Sequence, residues 1–339
     1  MARIHDVAKL ARVHISTVSR VVSRPEVVAP TTRRRVLRAI KALQYQPNSI
    51  AKSLRMCASG KLLVITPDLT NAIFSLVLGG IEDAANRAGY AVLLGYTAWG
   101  DEAREDRYSR MMMNREADGL IFLSPRVPKA AESLVRAAQG KRAPVVNVLS
   151  CARELGIPSV HIDNEKAAYQ AMDHLYSLGH RDIAVITGPT GSKVTQDRLR
   201  GVRARARKAG IKAELPVAAD ELSAEGGRVA AEQLLARTPR PTALFCTKDE
   251  MAFGAIECVR QHGLRIPEDV SVVGFDDIPF ARYTDPPLTT VAQPMHDIGK
   301  TAVKLLFDVI DGQSDVPLSV VLPHQLVVRG TTGRPKQMT

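Results

Sequence analysis

A short polar stretch near the N-terminus contains residue types that proteins use to contact DNA. Its members lie within a predicted helix from about Ile15 to Val22 and are Ser16, Thr17, Ser19 and Arg20. Hydroxyl groups can hydrogen-bond to phosphates and base edges, and a guanidinium can pair with both O6 and N7 of a guanine in the major groove. Arg20 is therefore the strongest candidate for base reading. The alternative is a solvated arginine on a helical hairpin.

The positive charge of the chain is concentrated in the segment that contains this stretch. Residues 1–60 contain twelve basic and two acidic residues, so they hold +10 of the net charge of +11 in a chain of 339 residues. The remaining residues are nearly neutral. A small basic module attached to a neutral body indicates a module that binds a polyanion.

Apolar spacing in the basic module predicts three short helices. The residues expected to face one another are Val7, Ala8 and Ala11 in the first helix, Val18, Val21 and Val22 in the second, and Val36, Ile40 and Leu43 in the third. The second helix follows an interruption at Arg12-Val13-His14, and the third spans roughly Thr31 to Leu43. This is a helix-turn-helix pattern closed by a third helix.

A further segment, residues 48–55, is long enough for only two helical turns, with Asn48 as its N-cap. Such a helix is marginal in water and should fold only when packed on another surface. Leu54 lies beside Lys52 and Arg55. An apolar side chain in this basic setting suits insertion into an unstacked minor groove, the alternative being an ordinary linker leucine.

The rest of the chain alternates apolar runs with longer helical patterns, which predicts parallel sheets covered by helices on both faces. The runs are residues 62–68, 91–97, 119–125, 145–150, 183–189, 243–249 and 270–277. Ligands in this architecture bind beyond the carboxyl ends of the strands. The polar residues that this rule selects are Asp68, Asn71, Asp163, Lys248, Asp249, Asp276 and Asp277. Each is alternatively a loop cap or a turn former.

Several classes of protein are disfavoured. The apolar runs are too short to cross a bilayer and MARIHDVAKL lacks a signal-peptide core, so we expect a cytoplasmic protein. The cysteines lack paired metal-ligand spacing and are expected to be reduced and mostly buried: Cys57, Cys151, Cys246 and Cys258. We expect no metal and no cofactor.

An enzyme and a transport protein that only binds its ligand are the two rival classes. The sequence lacks the G-x-S-x-G, H-E-x-x-H and G-x-x-x-x-G-K-[ST] motifs. Asp276 and Asp277 are adjacent, and neighbouring side chains in an extended segment point to opposite faces. They are therefore not expected to act as a catalytic pair, and the basic module argues against a transport protein.

The motifs of the basic module and of the body resemble those of the LacI/GalR family of bacterial repressors. The matching stretches are DVAKLARVHISTVSRVV, YQPNSIAKSL, HIDNEKAA, LYSLGHRDIAVITGP, DEMAFGAI, IPEDVSVVGFDDI, DPPLTTVAQP and VVRGTT. They cover nearly the whole chain in the family's order. The GHRDIAVITGP and DPPLTTVAQP stretches are most similar to the CytR branch, which implies a nucleoside effector.

This resemblance implies a fold and a division into domains. A small all-α helix-turn-helix head (1–46) would be followed by a hinge helix and linker (47–60). The α/β body would resemble periplasmic binding proteins, with two doubly wound parallel-sheet subdomains and an effector in the cleft between them. Their implied boundaries are 61–161 with 291–321 for the N-subdomain, 162–290 with 322–332 for the C-subdomain, and 333–339 for a tail.

The resemblance also implies roles for residues of the head. Ile15, Ser16 and Arg20 would contact base edges, Thr17 and Ser19 would contact phosphates, and Leu54 would enter the minor groove. The chain departs from the family at Arg12, where Gly or Asn is usual, and at His14, where Ser is usual. Arg12 adds a candidate phosphate contact, whereas His14 replaces a usual helix cap and leaves the start of the second helix open.

In the body, Arg198 matches the family's pocket arginine and Asp276 its pocket carboxylate, with a buried salt bridge as the alternative. The further implied pocket residues are Asn71, Phe74, Asp163 and Asp249. The chain departs from the family at Lys248, at Leu222 in place of an aromatic ring, and at Leu149 in place of a polar residue. A purine would lose a stacking surface, and Lys248 would favour a phosphate or carboxylate. We therefore expect a small sugar-like effector, either uncharged or anionic, with sugars, sugar phosphates and nucleosides as candidates.

The implied mechanism is that of a transcriptional repressor. Two heads of a homodimer would read the half-sites of a palindromic double-stranded operator, and effector binding would rotate the subdomains that carry the hinges. Dimer contacts are expected near Ser75 to Ala88. The sequence after the last strand is too short for a further heptad helix, which favours a dimer over a tetramer. This architecture fits an effector that releases the protein from DNA and equally one that recruits the protein to DNA.

Overall fold

The computed structural model describes residues 2–45, 58–99, 101–124, 129–138, 142–211, 215–219 and 221–336. The chain divides into two compact units, Met1–Gly60 and Lys61–Thr339. Within the described residues, no helix combines the length and the apolar character that a membrane span requires. The three described cysteines, Cys151, Cys246 and Cys258, are free thiols.

The first unit contains helices α1 (Ile4–Ala11), α2 (Ile15–Ser23) and α3 (Pro30–Ala42), with one 3₁₀ turn at Pro25–Val27. Its core consists of small apolar side chains from all three helices: Val7, Ala8, Ala11, Val18, Val21, Val36 and Ala39. Ile40 and Leu43 pack on this core in partly buried positions, as expected. The prediction for Val22 was wrong, because its side chain is 38% exposed.

The second unit contains two six-stranded sheets. The first sheet is parallel throughout, with the order β11-β5-β4-β3-β1-β2. Its strands are β1 (Lys61–Thr66), β2 (Ala91–Tyr96), β3 (Gly119–Leu123), β4 (Val145–Val148), β5 (Ser159–Ile162) and β11 (Ser319–Leu322).

The second sheet has the order β12-β10-β9-β8-β6-β7, and its only antiparallel pair among the described strands is β10 with β12. Its strands are β6 (Ile183–Thr187), β7 (Val217–Ala219), β8 (Ala243–Cys246), β9 (Ser271–Asp276), β10 (Thr289–Ala292) and β12 (Gln325–Val327). Each sheet therefore reverses its strand order near its first strand, which is where doubly wound folds form ligand crevices.

The central strands are buried on both faces and are therefore apolar at consecutive positions. All seven apolar runs contain a strand, as the sequence predicted. Five strands of three or four residues had no such run: β5, β7, β10, β11 and β12. These strands are short, and several include Ser, Thr, His or Gln, so their sequences lack a long apolar stretch.

Helices cover both sheets. They are α4 (Ala72–Arg87), α5 (Glu102–Met113), α6 (Lys129–Ala137), α7 (Asn164–Ser177), α8 (Lys193–Lys208), α9 (Ala224–Leu235), α10 (Asp249–Gln261) and α11 (Met295–Ile310), with 3₁₀ turns at Arg153–Leu155 and Pro279–Arg282. Helices α4 and α11 cross at Gly80 and Gly299. A Cβ at Gly80 would lie 2.0 Å from the His296 carbonyl oxygen, so this close crossing requires glycine.

The chain passes between the two sheets after β5, after β10 and after β11. The predicted crossing at 290/291 lies inside β10, which continues to Ala292 in the second sheet. The other two predicted crossings, at 161/162 and 321/322, lie one residue before the ends of β5 and β11. The predicted head and hinge boundary at 46/47 is outside the described residues, and the division into domains stays a prediction.

Candidate functional site

Helix α2 separates its apolar and polar side chains between two faces. Val18 and Val21 are buried in the core of the first unit, whereas Ser16 and Arg20 are exposed and Thr17 and Ser19 are partly buried. Ile15, a predicted base-reading residue, is partly buried and packs on that core. The helix therefore presents the predicted polar side chains on its outer side.

His14 takes the capping position that the sequence left open. Its Nδ1 accepts hydrogen bonds from the Ser16 N–H at 3.3 Å and from the Ser16 hydroxyl at 2.9 Å, so α2 begins at Ile15. Both bonds require a lone pair on Nδ1. Arg12 ends α1 in a left-handed conformation with φ 49°, and its side chain is exposed.

We expect His14→Ala to increase hydrogen exchange of the α2 amides in the full chain by about fivefold, because a lost N-cap costs about 1 kcal/mol. His14→Ser is the matched control, since a hydroxyl at this position also caps a helix, and it should keep the wild-type exchange rate. Equal rates in wild type and His14→Ala would show that the imidazole does not stabilise α2. Exchange measured by mass spectrometry or NMR resolves these amides.

The segment from 46 to 57, which contains the predicted hinge helix and Leu54, lies outside the described residues. Minor-groove insertion by Leu54 therefore stays a prediction.

In the second unit, a cavity of about 590 Å³, including its opening to solvent, lies at the carboxyl ends of the strands. Its lining comes from both halves of the unit: Asn71, Ile73, Phe74, Trp99, Leu149, Ser192, Val194, Thr195, Arg198, Leu222, Thr247, Lys248 and Gln293. The lining thus brings together the predicted pocket residues Asn71, Phe74, Arg198, Lys248 and Leu222.

Two aromatic rings form one wall of this cavity. Phe74 lies in the first turn of α4, and Trp99 follows β2. Their ring centroids are 6.3 Å apart and the planes are tilted by 59°. Trp99 is 46% exposed and has φ 59°, a left-handed conformation that positions its ring at the cavity. The cavity therefore contains aromatic surface although Leu222 replaces a ring.

Arg198 is 6% exposed, and its guanidinium is held by three partners. Its Nε donates to Asn164 Oδ1 at 2.9 Å, one Nη donates to the Thr247 carbonyl, and the other donates to Asp276 Oδ1 at 3.5 Å. The group also stacks on Phe275, with Cζ 3.5 Å from the ring centroid. A guanidinium has five N–H groups, and these three bonds use one on each nitrogen.

Asp276 is fully buried behind Arg198. It is not part of the cavity lining. Its Oδ1 also accepts a hydrogen bond of 2.7 Å from Gln293 Nε2, and its Oδ2 has no partner among the described residues. Burial raises the pKa of Asp276 to about 6, against the lowering effect of Arg198 and Lys248. The carboxylate thus orients two side chains, Arg198 and Gln293, that do line the cavity.

Lys248 lines the cavity and is paired with a carboxylate of its own helix. Its Nζ lies 3.4 Å from Glu250 Oε2, but neither of these two buried atoms has a hydrogen-bond partner among the described residues, and the Lys248 side chain is 6% exposed. Asp249, between them, points away and accepts hydrogen bonds from Thr290 Oγ1 at 2.6 Å and from the Ile278 N–H at 2.8 Å. Burial raises the pKa of Asp249 well above its usual range, with Asp276 as the second cause.

A wider cavity of about 1490 Å³, including its opening, shares Trp99, Ser192 and Leu222 with the first. Its charged lining residues are three acids: Asp68, Glu105 and Glu221. No basic residue is part of its described lining. The two cavities therefore adjoin, and the charged residues of the wider one are acidic.

Three other predicted polar residues do not line the first cavity, and their side chains bond to other parts of the protein. Asp163 is exposed and caps α7 by accepting from the Lys166 N–H at 2.9 Å. Asp277 pairs with Arg329 at 2.7 Å. Asp249 is fully buried and lies behind the cavity wall. Asp163 is therefore a helix cap, and Asp249 and Asp277 bond to other parts of the protein.

Sequence reasoning missed several residues of the cavity, namely Trp99, Gln293, Thr195, Ser192, Ile73, Val194 and Thr247. Trp99 is the only tryptophan of the chain and follows a predicted strand, so applying the strand-end rule to aromatic residues would have selected it. Gln293 had no comparable signal, because β10 was not recognised as a strand.

Three comparisons with known proteins agree with this arrangement. Residues 3–48 match the model of bacterial regulatory proteins of the lacI family, and residues 172–332 match the periplasmic binding protein-like domain. The chain is 37% identical over 332 residues to the HTH-type transcriptional repressor CytR of Escherichia coli (strain K12), covering 98% of this chain and 96% of that protein.

A second relative and a solved structure cover almost the same length. The HTH-type transcriptional repressor PurR of Vibrio cholerae serotype O1 (strain M66-2) is 35% identical over 337 residues, covering 98% of each protein. The crystal structure of the Lac repressor dimer bound to operator and the anti-inducer ONPF has a TM-score of 0.88 and 30% identity. It covers 98% of this chain and 99% of that one.

Proposed function

The chain belongs to the LacI family of bacterial regulatory proteins, and from that premise we propose that its head reads an operator while its cleft binds an uncharged, polyhydroxylated effector with a flat face. The observation that carries the effector assignment is the cavity in which Arg198 and Gln293 adjoin Phe74 and Trp99. Because its partner is DNA, we place the protein with the bacterial nucleoid.

The head supports DNA binding by its charge and by the exposed side of α2. Ser16 and Arg20 are exposed on this helix, and we assign them, with Ile15, to base contacts. Thr17, Ser19 and Arg12 are assigned to phosphates. Basic side chains supply the affinity that is independent of sequence, whereas contacts to base edges supply the specificity.

The operator is proposed to be palindromic and to be bound by a homodimer. The related Lac repressor was solved as a dimer bound to its operator. Two-fold symmetry of the protein then requires two-fold symmetry of the DNA site. Leu54 is assigned to the central minor groove, and residues 75–88, mostly in α4, to the dimer contact.

The charges of the cleft favour an uncharged effector, which differs from the anionic group expected from Lys248 alone. Lys248 is neutralised by Glu250, and Arg198 is paired with Asp276. The adjoining wider cavity adds Asp68, Glu105 and Glu221. A phosphate or carboxylate entering this cleft would meet cations whose charge is compensated by nearby carboxylates, and the three acids of the adjoining cavity would repel it.

The aromatic wall favours a flat ligand face. Phe74 and Trp99 provide the stacking surface that Leu222 cannot, so a nucleoside base or the apolar face of a sugar ring has an aromatic partner. Hydroxyl groups would then meet the guanidinium of Arg198 and the amide of Gln293. A nucleoside satisfies both requirements in one molecule.

Through Gln293, a bound ligand can affect the arrangement of the two sheets. It follows β10 on a segment that crosses between the two sheets, and it is bonded to Asp276 at the end of β9. A ligand that binds Gln293 therefore acts directly on this crossing segment. Differential binding to two arrangements of the sheets would change operator affinity.

We expect calorimetric titration to show binding of at least one common nucleoside, with at least tenfold weaker binding of its 5′-monophosphate. Glu250→Gln is the informative variant, because it leaves the Lys248 charge unpaired and should strengthen binding of the monophosphate. Tight binding of monophosphates or of ribose 5-phosphate by the wild type, with no response to nucleosides or free sugars, would contradict the proposal.

Two further readouts complete this experiment. Trp99→Leu should weaken nucleoside binding by about 0.5 to 1.5 kcal/mol, the usual contribution of an aromatic pair. We also propose that the protein binds its effector without transforming it, as expected for a relative of repressors. NMR of the ligand recovered after titration tests this, and any stoichiometric conversion would contradict it.

A further inference from the structure

A cluster of three metal-ligating side chains lies on helices α9 and α10, away from the cleft lining. It consists of Glu232 on α9, Cys258 on α10 and His262 just after α10, with one ligand atom from each within 4.8 Å of the others. The Cys258 Sγ lies 3.5 Å from Glu232 Oε2, and His262 Nε2 lies 3.3 Å from Glu232 Oε1. No paired spacing in the sequence indicates this cluster, since Glu232 lies on a different helix from Cys258.

The separations of 3.5 Å from Sγ to Oε2 and 3.3 Å from Nε2 to Oε1, which involve the two different oxygens of Glu232, are close to the edge lengths of a tetrahedral zinc site. Zinc binds sulfur at about 2.3 Å, nitrogen at about 2.0 Å and carboxylate oxygen at about 2.0 to 2.2 Å, so its ligand atoms lie roughly 3.3 to 3.5 Å apart. Cys258 and His262 are four residues apart, which places both on one face of α10. The set combines a thiolate, an imidazole and a carboxylate, which suits a borderline ion.

The imidazole is oriented in the way that metal-binding histidines usually are. His262 Nδ1 lies 2.9 Å from the Cys258 carbonyl oxygen and donates to it, which leaves the Nε2 lone pair directed toward Glu232. Without an ion, Nε2 must bind a second proton to pair with Glu232. The side chains of His262 and Glu232 are 37% and 53% exposed, so an ion can enter from solvent.

The two helices form a rigid support for the cluster. A Cβ at Gly254 of α10 would lie within 3 Å of the backbone of α9 at Ala224 and Arg228, and one at Gly227 of α9 would meet the backbone of Met251. The nearby cation Arg228 is bonded to Glu225 through two nitrogens, so its charge is compensated. The ligand atoms therefore need little movement to converge.

We propose that Glu232, Cys258 and His262 bind a borderline divalent cation, of which Zn²⁺ is the representative, with water in the fourth position. The ion would join the ends of α9 and α10. It is independent of the effector cleft, so neither proposal depends on the other.

Metal binding at this site requires loss of the Cys258 proton. Burial and Glu232 raise the pKa of the Cys258 thiol to about 11, opposed by Arg228. The ion must displace this proton, so apparent affinity should increase as the pH rises.

The test is a titration of the full chain with Co²⁺, followed by displacement with Zn²⁺. We expect one equivalent of Co²⁺ to produce the near-ultraviolet charge-transfer band of a cobalt thiolate, and Zn²⁺ to remove it. Cys258→Ser should abolish the band, and His262→Gln and Glu232→Gln should each weaken binding tenfold or more. Cys151→Ser is the matched control, since this partly buried thiol lies outside the cluster, and it should keep the band.

Three other outcomes would each overturn the proposal. Absence of the band at stoichiometric Co²⁺, or its persistence in Cys258→Ser, would show that this cluster is not a metal site. An unchanged affinity in both His262→Gln and Glu232→Gln would show coordination by the thiol with other ligands. Circular dichroism of each variant separates loss of a ligand from loss of fold.

Discussion

Arg198→Met is expected to lower the free energy of unfolding of the effector-binding body by about 3 to 5 kcal/mol and to abolish effector binding. The substitution leaves the carboxylate of Asp276 buried without its cationic partner, and an uncompensated buried charge has a cost of this size. It also removes the N–H groups proposed to bind the ligand. Urea unfolding and calorimetry measure the two effects separately.

The pH dependence of this cost has a definite sign. The pKa of Asp276 is raised to about 6 in the folded protein, so the folded form binds a proton more tightly than the unfolded chain. The contribution of Asp276 to stability therefore increases as pH falls through 6 toward its ordinary value of 3.8. Arg198 holds this pKa down, so the pKa should rise further in Arg198→Met. The cost of the substitution should then be smaller at pH 5 than at pH 8.

The double variant Arg198→Met with Asp276→Leu is the control. Since it removes both charges, it should be more stable than Arg198→Met alone, although it still fails to bind effector. If the single and double variants had equal stability at pH 8, the Asp276 carboxylate left unpaired by Arg198→Met would have no measurable energetic cost. The assignment of Arg198 as the buried anchor of the cleft would then be wrong.

Arg20→Ala is expected to remove base discrimination at one position of each operator half-site, at a cost of about 1 to 3 kcal/mol per contact. The reason is that its exposed guanidinium on α2 is assigned to a guanine edge. The measurement compares affinities for the operator and for operators substituted at single positions, at constant salt concentration. Affinity for unrelated DNA should decrease much less.

Arg34→Ala is the matched control, because Arg34 is an exposed arginine of the same head on α3. It should weaken binding to all DNA sequences to a similar extent and reduce the salt dependence of binding. A uniform loss in Arg20→Ala, equal to that in Arg34→Ala, would reassign Arg20 to phosphate contact.

The residues selected at strand ends and the residues that line the cavity overlap only in part, and the effector site stays a prediction. Asn71 and Lys248 line the cavity, but Asp163 caps a helix, and Asp277 pairs with Arg329. The rule identifies the edge of the sheet and leaves open which side chain points into the cleft. That direction depends on local backbone geometry, such as the left-handed conformation of Asp277 at φ 54°.

Local sequence patterns were sufficient to predict the features that depend only on neighbouring residues. Helical spacing identified the head, its charge indicated a polyanion, and continuous apolar runs located seven of the twelve described strands. These signals are local, because the period of a helix or a buried strand is expressed within a few residues.

The chemistry of the cleft and of the α9–α10 cluster was evident only from contacts between residues that are distant in sequence. Lys248 suggested an anionic effector until its pairing with Glu250 was known, and the loss of a ring at Leu222 is offset by Trp99, more than a hundred residues away in sequence. Glu232 meets Cys258 and His262 because two helices pack closely. Such contacts depend on how distant segments are brought together, and the burial and charge partners created there determine what each side chain can bind.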